Sequence, residues 1–146
     1  MTKAETALQL FSGQCNCAQA LLATFGTDEG LSFQDCLRIA APFGGGIARM
    51  GQTCGAVSGA IMALGLRYGK QAAGDPQAKA ALHERVGEFV SRFQGCHNSI
   101  ICRELLGIDV GTPEGWKQAQ DQKVHETLCP DFVRVAAEIL EEVLLS

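Results

Sequence analysis

No cluster of basic residues occurs anywhere in this chain. Twelve Lys and Arg stand against sixteen Asp and Glu, a formal charge of −4, which argues against nucleic acid or an anionic lipid surface as a partner. Long apolar runs are missing too. Ala60–Leu66 is the longest, far short of the roughly 20 residues that cross a bilayer, so no membrane partner is expected. The opening residues Met1-Thr2-Lys3-Ala4-Glu5-Thr6 lack a secretory hydrophobic segment, and a cytoplasmic location is the expectation. Strand-like alternation, Asn-Gly hairpin signals and internal repeats are all absent, which excludes a sheet-based or solenoid architecture. Charged residues make up only 19% of the chain and hydrophobic ones 47%, which excludes wholesale disorder. The 146 residues suffice for one domain, 1–146, burying about two-thirds of its unfolded surface.

What the chain does contain is helix punctuation. Lys3–Phe11 reads as a short amphipathic helix. Asn16 is a candidate N-cap for a second helix stopped by Gly26, and Ser32 for a third that Pro42 ends. Thr53 is read as the cap of a helix that Gly69 terminates. Asp75-Pro76 and Thr112-Pro113 both combine a capping side chain with proline at the first helical position. The first opens a helix to about Phe93, with Gly95 as its stop. The second opens a polar helix through Trp116. A helix around Ser99–Leu106 ends at Gly107, and Cys129-Pro130 starts a last one with a clear 3.6-residue apolar period. The expected fold is all-α, a bundle of six to eight helices around a Gly/Ala-rich central helix. The Ala78–Phe93 and Pro130–Leu144 helices should pack on that central one.

Gly55, Gly59 and Ala63 recur every fourth residue and leave one face of the central helix almost bare. Glycine inside a helix costs roughly 1 kcal/mol relative to alanine, so another backbone is expected to come close; the same face could alternatively serve a homodimer. Gly45 and Gly46 belong to the loop Phe43–Gln52, which runs straight into this helix. The loop lacks the Gly-Lys-Ser/Thr ending of a phosphate-binding loop. Its glycines are read as bringing the backbone close to a cysteine site.

Seven cysteines, Cys15, Cys17, Cys36, Cys54, Cys96, Cys102 and Cys129, are many for a chain without an export signal. In a reducing compartment they point to metal or redox use rather than a disulfide framework. Cys17, Cys54 and Cys129 each fall at a predicted helix start, where free N–H groups and the helix dipole favour the thiolate. Cys102 lies inside a short helix, with Arg103 beside it to lower its pKa further. Convergence of these four would supply a zinc or iron–sulfur ligand set, although no C-x-x-C pair or ferredoxin spacing is present. Cys36 reads as a core filler, and Cys15 or Cys96 could act as a resolving thiol. His83, His97 and His125 read as structural or surface residues, the last two also as possible ligands or proton shuttles.

The word Cys54-Gly55-Ala56-x-x-Gly59, with Cys17 upstream and Cys102 and Cys129 downstream, resembles the C_GCAxxG_C_C family of redox-active proteins. The likeness covers essentially the whole chain, including Asn16-Cys17-Ala18-Gln19-Ala20, the glycine loop and Cys102-Arg103-Glu104-Leu105-Leu106. It implies that these four cysteines are the functional set and that redox chemistry or metal binding is the activity. Cys15, Cys36 and Cys96 lie outside the pattern. A fainter resemblance to the non-haem part of split-Soret cytochromes favours an iron–sulfur cluster, although no Cys-x-x-Cys-His haem motif is present. Three readings follow. The four cysteines hold an iron–sulfur cluster or other metal for electron transfer with a partner protein. Alternatively, Cys54 is a low-pKa nucleophile acting on a small thiol or disulfide, with another cysteine resolving. A structural four-thiolate zinc site in an interaction module is the third.

Overall fold

Helix caps decide where the elements begin. The computed structural model describes all 146 residues. In it Thr2 and Asn16 each close a capping box, with Glu5 and Gln19 reaching back to the cap backbone, and so open α1 (Lys3–Ser12) and α2 (Cys17–Gly26). Ser32 caps α3 (Phe33–Ala40). Then come α4 (Gly55–Tyr68), ended by Gly69, and α5 (Pro76–His97), capped by Asp75. The chain continues with α6 (Cys102–Leu106), α7 (Pro113–Asp121), the single turn α8 (Val124–Thr127) and α9 (Cys129–Leu145). The fold is all-α, with eight helices of five residues or more, as expected. Extended pairing is confined to one antiparallel bridge, Thr53 to Ile101. No helix is long and apolar enough to cross a membrane.

Several boundaries differ from those read in the sequence. Gly95 does not stop α5. The helix runs on to His97, where Asn98 adopts the left-handed conformation that closes it. Nothing lies within 4 Å of a Cβ built at Gly95, so its cost is only the intrinsic one, roughly 1 kcal/mol. Phe93 is fully buried and packs against the tilted ring of His97 one turn later, at 5.1 Å between ring centroids, which favours continuation. Cys54, not Thr53, occupies the N-cap of α4, because Thr53 is held in the bridge to Ile101.

The bare face of α4 does meet another backbone, but it is that of α2. A Cβ at Gly59 would sit 2.6 Å from the Ala18 carbonyl oxygen and 2.9 Å from Leu21 Cβ. α5 and α9 also pack on α4, as expected. The face offered for pairing with a second chain is therefore covered within this one. Leu21, Phe25, Val57, Leu64, Phe89 and Val133 form the centre of the main core. A satellite cluster, Ala18, Leu22, Ala23, Cys36 and Ala40, ties α3 to the outer side of α2.

Candidate functional site

Cys17, Cys54, Cys102 and Cys129 line one small cavity of about 30 Å3, close to one water's share of liquid volume. Each stands where a helix begins. Cys17 is the first residue of α2, Cys54 the N-cap of α4, Cys102 the first residue of α6 and Cys129 the first of α9. Cys102 thus opens its helix instead of lying within it, because the bridge holds Ile101 extended. That bridge also aligns two of the cysteines. The Cys54 N–H donates to the Ile100 carbonyl at 2.7 Å, and the Cys102 N–H to that of Gln52 at 2.6 Å. Strand alternation then puts both side chains on the face opposite Thr53 and Ile101.

Burial, not the helix dipole, governs most of these thiols. Loss of solvent pushes Cys54 up to about 11, partly offset by the Ala56 and Val57 N–H groups, neither of which closes a full cap hydrogen bond. Burial thus works against the low pKa expected of a Cys54 nucleophile. Cys102 is pushed up to about 12 by burial and by the nearby Cys54 and Cys129 sulfurs. Arg103 does not counter this; its side chain turns to the Gly51 carbonyl. Cys17 is held well above the ordinary thiol range, first by donating towards Cys129 and then by burial. Cys129 goes the other way, because the neighbouring Cys17 thiol favours its thiolate. All seven cysteines are free thiols. No group of three or more His, Cys, Asp or Glu side chains stands in position to hold a single metal ion.

Of the four glycines expected at the site, Gly45, Gly46 and Gly55 line the cavity. A Cβ at Gly46 would fall 2.7 Å from Cys102 Cβ, and one at Gly55 3.1 Å from Cys17 Cβ. Gly59 does not reach the cavity; its close approach is to α2, one turn further along α4.

The glycine loop carries a feature that composition alone does not suggest. Gly45, Gly46, Ile47, Ala48 and Arg49 all have positive φ, between 46° and 68°. Left-handed backbone costs roughly 1–2 kcal/mol per L-residue, so Ile47-Ala48-Arg49 carry about 3–6 kcal/mol of strain. Hydrogen bonds hold the turn wound: Ala48 N–H to the Pro42 carbonyl at 2.7 Å, Arg49 to Gly44 and Gly51 to Gly45 at 3.0 Å, and Gln52 to Gly46 at 2.9 Å. At its tip the Arg49 guanidinium lies 4.3 Å from the centre of the Trp116 ring. Trp116 is itself part of the cavity wall, with Leu105, Leu106, Val110 and Phe132. Trp116 and Arg49 are the site residues that sequence reasoning missed. A lone tryptophan on an otherwise polar helix was the available signal.

On one side the cavity meets a large open groove, about 1070 Å3, between α1 and the start of α9. Cys17, Gly45 and His125 belong to both walls. His125 packs edge-on to Trp116 at 5.8 Å, and partial burial lowers its pKa. Its ring remains a rim residue, as expected. His97 is not the surface histidine read from the sequence. It is wedged between Phe93 and Phe132 and is only 15% exposed, with Asp131 3.5 Å from a buried Nε2 that makes no hydrogen bond. Cys15 lines the groove, Cys36 fills the satellite core and Cys96 is exposed.

These features define a helical protein with one buried four-cysteine site. The chain belongs to the family described as "Putative redox-active protein (C_GCAxxG_C_C)", whose model matches residues 15–143. No curated protein and no solved structure matches it.

Proposed function

We propose that Cys17, Cys54, Cys102 and Cys129 are the ligands of an iron–sulfur cluster and that the protein passes electrons to a partner. One observation carries the reading: four helices from separate parts of the chain begin at a single cavity, each with a cysteine at its start. Three of those helices have ten residues or more, and each adds about half a positive charge at its N-terminal end. Such a pocket favours an anionic occupant, which four thiolates around iron provide. In the free protein burial holds the protons of Cys54 and Cys102 in place, so binding releases them. A single zinc ion needs every sulfur about 2.3 Å from one point, and the side chains are not so placed. A cluster interposes several irons, so its four sulfurs need not meet at one point. Anaerobic purification followed by treatment with iron and sulfide tests this. The expected product is brown, absorbs broadly in the visible and loses its colour in the Cys102→Ala variant. A colourless, iron-free product refutes it.

Cys17 and Cys129 line the same cavity with thiols shifted in opposite directions, which favours a second reading, thiol–disulfide exchange. The Cys129 thiolate would attack a substrate disulfide and expel one substrate thiolate. Cys17, giving up its proton, would then attack the mixed disulfide and release the second. The pair ends oxidised to a disulfide and the substrate reduced to two thiols. The open groove beside Cys17 would admit a small disulfide or a partner segment. Peptide mapping after mild oxidation should then recover a Cys17–Cys129 disulfide in high yield. Random pairing among the seven cysteines would count against it.

A further inference from the structure

Two donors on the cavity wall have no acceptor. Gly46 is buried, and both Gly45 and Gly46 line the cavity. The carbonyls of Gly44, Gly45 and Gly46 accept from Arg49, Gly51 and Gln52, yet nothing in the chain accepts from the N–H of Gly45 or Gly46. Buried backbone donors are almost always paired, and leaving one unpaired is costly. Here the orphans result from a turn that is already unfavourable: five successive left-handed residues, three of them not glycine and one β-branched. Strain of this kind persists only where the surroundings enforce it, and it gathers at functional sites. Successive unpaired N–H groups at a tight turn can form a concavity that takes an anion, a device found around phosphates and iron–sulfur centres.

We propose that the Gly45 and Gly46 N–H groups donate to the negatively charged sulfur of the redox centre. In this arrangement Arg49, seated over Trp116, is the positioning residue that keeps the turn wound. The inference rests on the cluster reading and adds to it the groups that set the centre's potential. Donors aimed at cluster sulfur stabilise the reduced, more negative form. The chain thus carries, beside its helix N-termini, a preformed electrostatic support in the wall of the same cavity.

The test removes one N–H without adding an atom. Cys54 offers a scarless ligation point, so a synthetic segment ending at Thr53 can carry glycolic acid in place of Gly46, which exchanges the amide for an ester. A matching ester at Gly51, whose N–H is paired with the Gly45 carbonyl, is the control. Before loading, the Gly46 ester should lower the melting temperature less than the Gly51 ester, because its donor is unpaired in the free protein. After loading, it should make the midpoint potential more negative. A tenfold weakening of the reduced form corresponds to about 59 mV for one electron. Arg49→Ala should shift the potential in the same direction, and Arg49→Lys, which keeps a cation over the ring, should restore it. An unchanged potential in the Gly46 ester overturns the inference and leaves the cluster reading intact. So does a Gly46 ester that destabilises the unloaded protein as much as the control. If the native chain takes up no iron and sulfide, the cluster reading and this inference fall together.

Discussion

Exchanging glycine for alanine at two positions of α4 should have opposite effects. At Gly65 a Cβ meets nothing within 4 Å. Gly65→Ala therefore gains the helix-propensity difference alone, roughly 1 kcal/mol. At Gly59 the same methyl lands 2.6 Å from the Ala18 carbonyl oxygen, 2.9 Å from Leu21 Cβ and 3.1 Å from Ala18 Cα. Two of those atoms are backbone and the third is tied directly to it, so no rotamer change relieves the overlap and α2 as a whole must move. Overpacking of this kind costs about 1–3 kcal/mol, and a rigid neighbour puts Gly59→Ala at the upper end. Less the propensity gain, its net loss is about 2 kcal/mol. A chain of this size changes melting temperature by about 4 °C per kcal/mol. Thermal melts of the reduced, metal-free protein should thus show Gly65→Ala about 4 °C higher and Gly59→Ala about 8 °C lower. Because α2 begins with Cys17, the Gly59 variant should also incorporate less iron after reconstitution. A Gly59→Ala protein as stable as the native one would refute the claim that two backbones touch there.

Stability should also fall in alkali. Burial raises Cys54 from the ordinary 9.0 to about 11, so the unfolded chain loses this proton first. The stabilisation is complete below about pH 9 and is lost as pH rises towards 11, about 3 kcal/mol in all at about 1.4 kcal/mol per pH unit. Urea titrations of native and Cys54→Ala protein from about pH 8 to about pH 10.5 should diverge in slope with pH; parallel lines would contradict it. Asn16→Ala deletes one half of a capping box in which Asn16 Oδ1 and Gln19 Oε1 each accept a backbone N–H at 2.8 Å. It should cost about 1 kcal/mol in urea unfolding and weaken cluster loading through the adjacent Cys17; an unchanged urea midpoint would contradict it. Under anaerobic alkylation Cys96, exposed, should react first, and Cys36, fully buried, only after unfolding. Peptide mapping over time would expose an error if Cys36 kept pace.

The sequence displayed those parts of the molecule that depend on local chemistry. Asn16, Ser32, Asp75-Pro76 and Thr112-Pro113 cap helices where their side chains and prolines said they would. The four cysteines that stand at one cavity are the four that the family word picks out. What stayed hidden depends on distant neighbours. The Gly55–Gly59 spacing announces a close approach without saying that α2 makes it. A helix start favours a thiolate, but only the packed fold reveals that burial of Cys54 and Cys102 outweighs the dipole. Ile47-Ala48-Arg49 has no intrinsic taste for left-handed backbone. That turn is imposed by carbonyl partners at positions 42 to 46 and by Trp116, far along the chain. The bridge from Thr53 to Ile101 is likewise invisible, because a single pair of residues leaves no periodic trace.

The order of the four cysteines along the chain has a consequence for assembly. The first stands at residue 17 and the last at residue 129, and the last opens the C-terminal helix. A chain without α9 cannot complete the set, so under the cluster reading a filled centre would require α9 to be docked. An occupant joined to all four segments would in turn act as a knot, drawing the folded form down in free energy by mass action. Cofactor insertion would then follow the docking of α9 and would fasten it to the three earlier segments.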